Sequence, residues 1–172
     1  MEGEQEKLVV KIADMEVVQG DCGELATYAL GSCIGLTVFD PVARVGGLLH
    51  FMLPNPSQRT GATKTVEIGP HPYGSSAVPA LFRAAYALGA EKDRLIVCAA
   101  GGAERLGGEN DLRIGARNWA MLRKLLFQNG ITLAATDVGG SISRNLKLML
   151  STGEVNVTSS GDSSRLFPRN AA

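Results

Sequence analysis

Two apolar runs separated by a short turn constrain this chain more than anything else in it. Ile34-Gly-Leu-Thr-Val-Phe39 and Val45-Gly-Gly-Leu-Leu-His50 are rich in branched and apolar residues, and both read as strands. Between them, Asp40-Pro41-Val42-Ala43-Arg44 supplies turn chemistry, and Pro41 cannot continue a central ladder. The segment is therefore expected to fold as a β-hairpin. With Phe39 facing Arg44 across the turn, Cys33 falls directly opposite His50. Directly opposed residues on antiparallel strands point to one face, with Cβ atoms roughly 4.5–5.5 Å apart. The hairpin thus predicts a thiol beside an imidazole, the minimal parts of a cysteine hydrolase. A slip of one residue would separate them to opposite faces.

At 172 residues the chain is most simply one domain, long enough to bury a core without disulfide or metal staples. Its 17 basic and 17 acidic residues balance, which argues against a nucleic-acid partner. The acidic start, Met1-Glu-Gly-Glu-Gln-Glu-Lys7, is unlike a signal peptide, and no apolar run approaches the roughly 20 residues of a membrane span. A cytoplasmic protein without membrane insertion is expected. Three cysteines form no disulfide framework: Cys98 reads as core and Cys22 as incidental in a turn. With two histidines and no Cys-x-x-Cys, a metal site is not expected.

Leu8–Val18 reads as a first strand or strand pair and Leu25–Leu30 as another, delivering the chain into Gly31-Ser32-Cys33. The long segment from Asn55 to Pro72 follows His50 directly and is placed to serve as a lid. A helix capped by Ser75 or Ser76 should run to about Leu88, with Pro79 in its first turn. Leu95–Ala100 reads as a buried strand, and a second helix covers Gly115 to Gln128. Ile131–Thr136 is a strand, Asp137–Gly140 a turn, and 146–150 with 154–158 a closing hairpin. The expected fold is α/β (α+β): a single-domain layered sandwich with a mixed, largely antiparallel sheet and two main helices. The domain spans 1–158, and residues 159–172 are expected to form a flexible tail.

The thiol has a plain competitor, since free cysteines are often simply buried. Two features raise Cys33 above it. Gly31-Ser32 can turn tightly, freeing the backbone N–H groups of Ser32 and Cys33 to bind an oxyanion, and His50 supplies a base. His71, between two prolines, is expected to be exposed. The glycines after 101 read as turns, since no phosphate-binding fingerprint accompanies them. Arg113, Arg117 and Asn118 read as organisers of loops, and Asp137 as a turn former.

The run Thr27-Tyr-Ala-Leu-Gly-Ser-Cys33, Asp40-Pro41, Gly46 and His50-Phe-Met-Leu-Pro54 resembles the CheD family of chemoreceptor glutamine deamidases. Gly101-Gly-Ala103, Ile114-Gly-Ala-Arg-Asn118 and Asp137-Val-Gly-Gly140 follow in the family's order. The resemblance covers roughly positions 8 to 158. It implies a layered α/β sandwich related to deamidating toxin catalytic domains, with catalytic Cys33, His50 and Thr27, the last orienting the histidine. It implies hydrolysis of glutamine side-chain amides, and of glutamate methyl esters by the same route, on the cytoplasmic domain of methyl-accepting chemotaxis receptors, without a cofactor. One departure stands out. Where the family commonly carries a Lys-Tyr-Ala-Asp-like segment, this chain reads Pro72-Tyr-Gly-Ser-Ser76. That change leaves room for a second reading: a regulatory module that docks and stimulates a CheC-type phosphatase.

Overall fold

The structure is a computed structural model that describes residues 6–56, 69–104 and 112–169. Ten strands and two main helices run in the order β1 (Lys7–Val9), β2 (Asp14–Gln19), β3 (Glu24–Leu30), β4 (Ile34–Asp40), β5 (Val45–Phe51), α1 (Gly74–Ala87), β6 (Ile96–Gly101), α2 (Ile114–Gln128), β7 (Ala135–Val138), β8 (Arg144–Met149), β9 (Val155–Ser159) and β10 (Asp162–Phe167). They form two five-stranded sheets, ordered β1-β3-β8-β9-β10 and β2-β5-β4-β6-β7. Each sheet holds one parallel pair, β1 with β3 and β6 with β7, among antiparallel ones. The expected layered α/β arrangement is thus present, with two sheets where one was anticipated.

Alternation along the central hairpin explains the layering. In β4 and β5 every residue is buried, so each strand serves two cores. Ile34, Leu36, Val38, Val45, Leu49 and Phe51 pack under the helices with Leu81, Phe82 and Leu122. Phe39 and Leu48 face the other way, into a second core with Leu25, Leu146, Leu148 and Val155 between the sheets. Continuous apolar runs are what strands covered on both faces require.

The hairpin register differs from expectation by two residues. Asp40 pairs with Val45 and Gly35, not Cys33, lies opposite His50. The reason is local. The Asp40 carboxylate accepts the N–H groups of Val42 and Ala43, so the aspartate ends the strand and the loop begins after it. Arg44 closes that loop in the left-handed region, at φ 57°. A shift of two keeps the same face, because the side-chain period is two.

Other boundaries moved for similar reasons. Helix α1 begins at Gly74 without a serine cap; the Leu53 and Pro54 carbonyls take its first N–H groups. Pro79 therefore sits in the second turn, where it forgoes one helical hydrogen bond. The parallel strand β7 starts later than expected and includes Asp137, which pairs with Arg144 and forms no turn. The tail expected to fray from 159 instead supplies β10. Ser160 and Gly161, both at positive φ, make a two-residue hairpin that returns the chain along β9. His71 is half-buried, pinned by its N–H to the Ala13 carbonyl at 2.7 Å. Most of the anticipated lid, 57–68, lies outside the described residues, as do 105–111 of the glycine-rich loop. No described helix is long and apolar enough to cross a membrane.

Candidate active site

His50 projects from β5 into the space between the sheets, where Thr27 of β3 meets it. Both are almost fully buried, His50 at 2% exposure. Thr27 Oγ1 lies 2.7 Å from His50 Nδ1 and 2.8 Å from the Val10 carbonyl oxygen. Those two distances fix the tautomer. A hydroxyl carries one proton, and a carbonyl only accepts, so Thr27 donates to Val10. Oγ1 must then accept from Nδ1–H, which leaves Nε2 with its lone pair. Nε2 is buried and has no hydrogen-bond partner among the described residues. An unsatisfied basic nitrogen in a core is rare enough to require an explanation, and a general base supplies one.

Cys33 lies just past the end of the β4–β5 ladder, half-buried, and packs against the same inter-sheet core that His50 enters. Since Gly35 faces His50, Cys33 is its diagonal neighbour, a relation that places Cα atoms roughly 7–8 Å apart. Nε2 has no hydrogen-bond partner among the described residues, so the thiol is not hydrogen-bonded to it in this structure. Burial pushes the Cys33 thiol up to about 11, its own backbone N–H acting the other way. Burial also brings His50 down to about 4. At neutral pH the pair is therefore thiol and neutral imidazole.

The loop that carries the thiol is built to present N–H groups. The Gly31 carbonyl accepts from Ala103 N (2.8 Å), the Cys33 carbonyl from Gly102 N (2.9 Å), and the Ser32 carbonyl from Asn118 Nδ2 (2.9 Å). Three successive carbonyls are thus turned into the protein body. Neither the Ser32 nor the Cys33 N–H donates to a backbone carbonyl among the described residues. Peptide groups held this way leave their N–H ends for an incoming oxygen.

Glycine is required nearby. Gly101 has φ +112°, and a Cβ there would collide with the Cys33 carbonyl. On the entry side, β3 carries a bulge between Thr27 and Leu30, with Ala29 in the left-handed region at φ 58°. The Asn145 side chain accepts the Ala29 N–H at 3.0 Å. The bulge lets Thr27 face the inter-sheet space while the chain three residues later swings out to the thiol loop. Sequence reasoning missed Asn145 and Val10, whose roles depend on strand pairing distant in sequence.

The remaining candidates separate from the site. Cys98 is buried core and Cys22 exposed. Asn118 does organise a loop, as its place near a helix start suggested. No group of three or more His, Cys, Asp or Glu side chains that would hold a metal occurs among the described residues.

Comparison with known proteins identifies the family. The family described as "CheD chemotactic sensory transduction" matches residues 52–159. A Syntrophus aciditrophicus protein named "probable chemoreceptor glutamine deamidase CheD 1" is 42% identical over 154 residues, covering 90% of this chain and 94% of its own. A Solibacter usitatus protein named "probable chemoreceptor glutamine deamidase CheD" is 38% identical, covering 95% of each chain. A Pyrococcus abyssi protein of the same name is 38% identical over 87% of this chain and 89% of its own. With most of its length matched on both counts, the chain belongs to the CheD family.

Proposed function

We propose that this protein is a chemoreceptor glutamine deamidase, with Cys33 as nucleophile, His50 as general base and acid, and Thr27 as the group that orients the histidine. The single observation that carries the assignment of roles is the hydroxyl of Thr27, held between the Val10 carbonyl and His50 Nδ1, which leaves Nε2 a buried lone pair on the face Cys33 shares.

The reaction follows from that arrangement. Cys33 Sγ attacks the glutamine amide carbon as its proton passes to Nε2. The oxyanion forms against the N–H groups of Ser32 and Cys33, and the imidazolium keeps its Nδ1–H on Thr27. Collapse breaks the C–N bond, and His50 returns its proton to departing ammonia, leaving a thioester. Water then loses a proton to Nε2 and attacks the thioester carbon. The second collapse releases glutamate and the thiol. A glutamate methyl ester passes through the same steps with methanol as leaving group. The substrate is the cytoplasmic domain of a methyl-accepting chemotaxis receptor, and the chemistry calls for no cofactor.

Incubation with a receptor cytoplasmic domain, read by peptide mass spectrometry, tests this. Wild type should convert specific glutamines to glutamate, and Cys33→Ala should lower the rate by at least about 10³-fold with its Tm kept. No conversion by wild type, or equal conversion by Cys33→Ala, overturns the assignment. A second reading has one observation in its favour. The Pro72 carbonyl accepts from Met52 and Leu53 at the exit of β5, and the segment to Ser76 carries no charged side chain. A module that docks a CheC-type phosphatase would bind such a partner with Cys33 replaced and convert no glutamine.

A further inference from the structure

The β4–β5 ladder stops at Ile34 and Phe51, one residue short of the nucleophile. Beyond that pair no strand hydrogen bond holds Cys33 near the strand that carries His50. A side chain stands in that place. The Asn118 carboxamide nitrogen donates to the Ser32 carbonyl and to the Met52 carbonyl, each at 2.9 Å. Ser32 adjoins the nucleophile, and Met52 lies two residues past the base. Both protons of one NH2 group are thus spent on joining the two chains that carry the reacting pair.

Several features show that the placement is built. Asn118 is fully buried, although it is polar and sits on a helix. Its orientation is forced, because a flipped amide would put its oxygen against two carbonyl oxygens. The orientation holds even though Oδ1 is left buried without a hydrogen-bond partner among the described residues. The helix that carries it is seated by close backbone approach: a Cβ at Gly115 would press into the carbonyls of Gly102 and Ala103. Gly102 and Ala103 are the residues whose N–H groups bind Cys33 and Gly31. One helix start therefore locks the β6 end, the thiol loop and the exit of β5 together.

We propose that Asn118 is a positioning residue for the reaction: its NH2 group closes the open end of the hairpin and sets the approach of Cys33 to His50. This deepens the deamidase reading and rests on it for the reaction served. An aspartate or alanine at 118 would leave the thiol loop tied to β6 and free of β5. The thiol would remain and the base would remain, with their separation no longer fixed.

The test is a double-mutant cycle on the intact chain, read by the alkylation rate of Cys33 at neutral pH through peptide mass spectrometry. In the wild-type background, Asn118→Ala should slow alkylation about 10-fold, because the thiol loses its base. In the His50→Ala background the same substitution should change the rate less than about 2-fold. Deamidation of a receptor domain should show kcat lowered about 10- to 100-fold with KM within about 3-fold. Equal slowing in both backgrounds would mean that Asn118 only supports the loop, and no slowing in either would mean that it does nothing to the pair; both overturn the proposal. Asn118→Ser, which keeps one short donor, should fall between wild type and alanine and serves if the alanine variant does not fold. Wild type that couples Asn118 to His50 in alkylation but converts no glutamine would sink the deamidase reading and leave the clamp standing.

Discussion

The hairpin of β4 and β5 has a buried polar centre at each end, and the two are built in opposite ways. At the turn, Asp40 is fully buried and every one of its needs is met. It accepts from Val42, Ala43 and Glu91 N–H groups and from the Arg94 guanidinium, which lies 2.9 Å away through Nη2. Burial alone would push this carboxyl up, but Arg94 and the three N–H groups hold it well below the usual carboxylate range. At the open end, about 20 Å along the strand, Cys33 and His50 are both neutral, and Nε2 has no partner among the described residues. A satisfied cluster stabilises; an unsatisfied one is available to react. The difference lies in partners: three N–H groups and a guanidinium meet Asp40, and none among the described residues meets Nε2.

The comparison can be broken at either end. The largest effect should come from Asp40→Ala, which leaves three backbone N–H groups and Arg94 without their acceptor. Unfolding in urea should show a loss of about 3 kcal/mol, while the folded fraction keeps wild-type deamidation per molecule. A variant that loses activity in proportion to nothing but folding supports the separation; one that stays folded and loses activity shows that the two ends are coupled.

The next effect is on the pH dependence of stability. His50 has a folded value of about 4 against an ordinary 6.5. Between those values the unfolded chain binds the proton and the folded one does not, so stability rises with pH across that window. The contribution is fully present above pH 6.5 and lost as pH falls through 4, and amounts to about 3 kcal/mol. Urea midpoints measured from pH 4 to 7 should show this slope in wild type, and His50→Gln should flatten it. The Cys33 shift has the opposite sign: its contribution is present below about 9 and lost as pH rises toward 11.

The smallest of the three effects is Thr27→Val, which keeps the shape and removes the oxygen between Val10 and His50. Nδ1–H then loses its acceptor, and the tautomer with the lone pair on Nε2 is no longer enforced. A loss of about 10- to 100-fold in kcat is expected, with KM little changed. An unchanged kcat would mean that the imidazole finds its orientation without Thr27.

Much of the fold was legible because burial writes itself into local pattern. The two apolar runs, the 3.6-residue spacing of Val78, Leu81, Phe82 and Ala85, and the Thr152-Gly153 turn each state a local preference that the tertiary structure kept. What failed to show was long-range or took two signals at once. The split of strands into two sheets depends on which faces meet, and β4 and β5, buried on both, look alike from either side. The strand β10 was hidden in a polar sequence whose hairpin signal is only Ser160-Gly161. Of the site, Cys33 and His50 were readable through the hairpin, and Thr27 entered only by resemblance to a family.

The sequence by itself determined that a thiol and an imidazole would share a face, because strand parity survives a register error of two. It also determined that the thiol loop would turn, since Gly31 precedes Ser32 and Cys33. Tertiary structure alone decided the rest. The Asp40 carboxylate, which ends the strand through its local N–H partners, is kept charged by Arg94 and the Glu91 N–H, more than fifty residues away in the chain. The histidine tautomer was decided by a carbonyl on Val10, and the open end of the hairpin by a carboxamide on α2. Local pattern places a side chain on a face. Hydrogen-bond partners, which come from anywhere in the chain, decide its protonation and its neighbours.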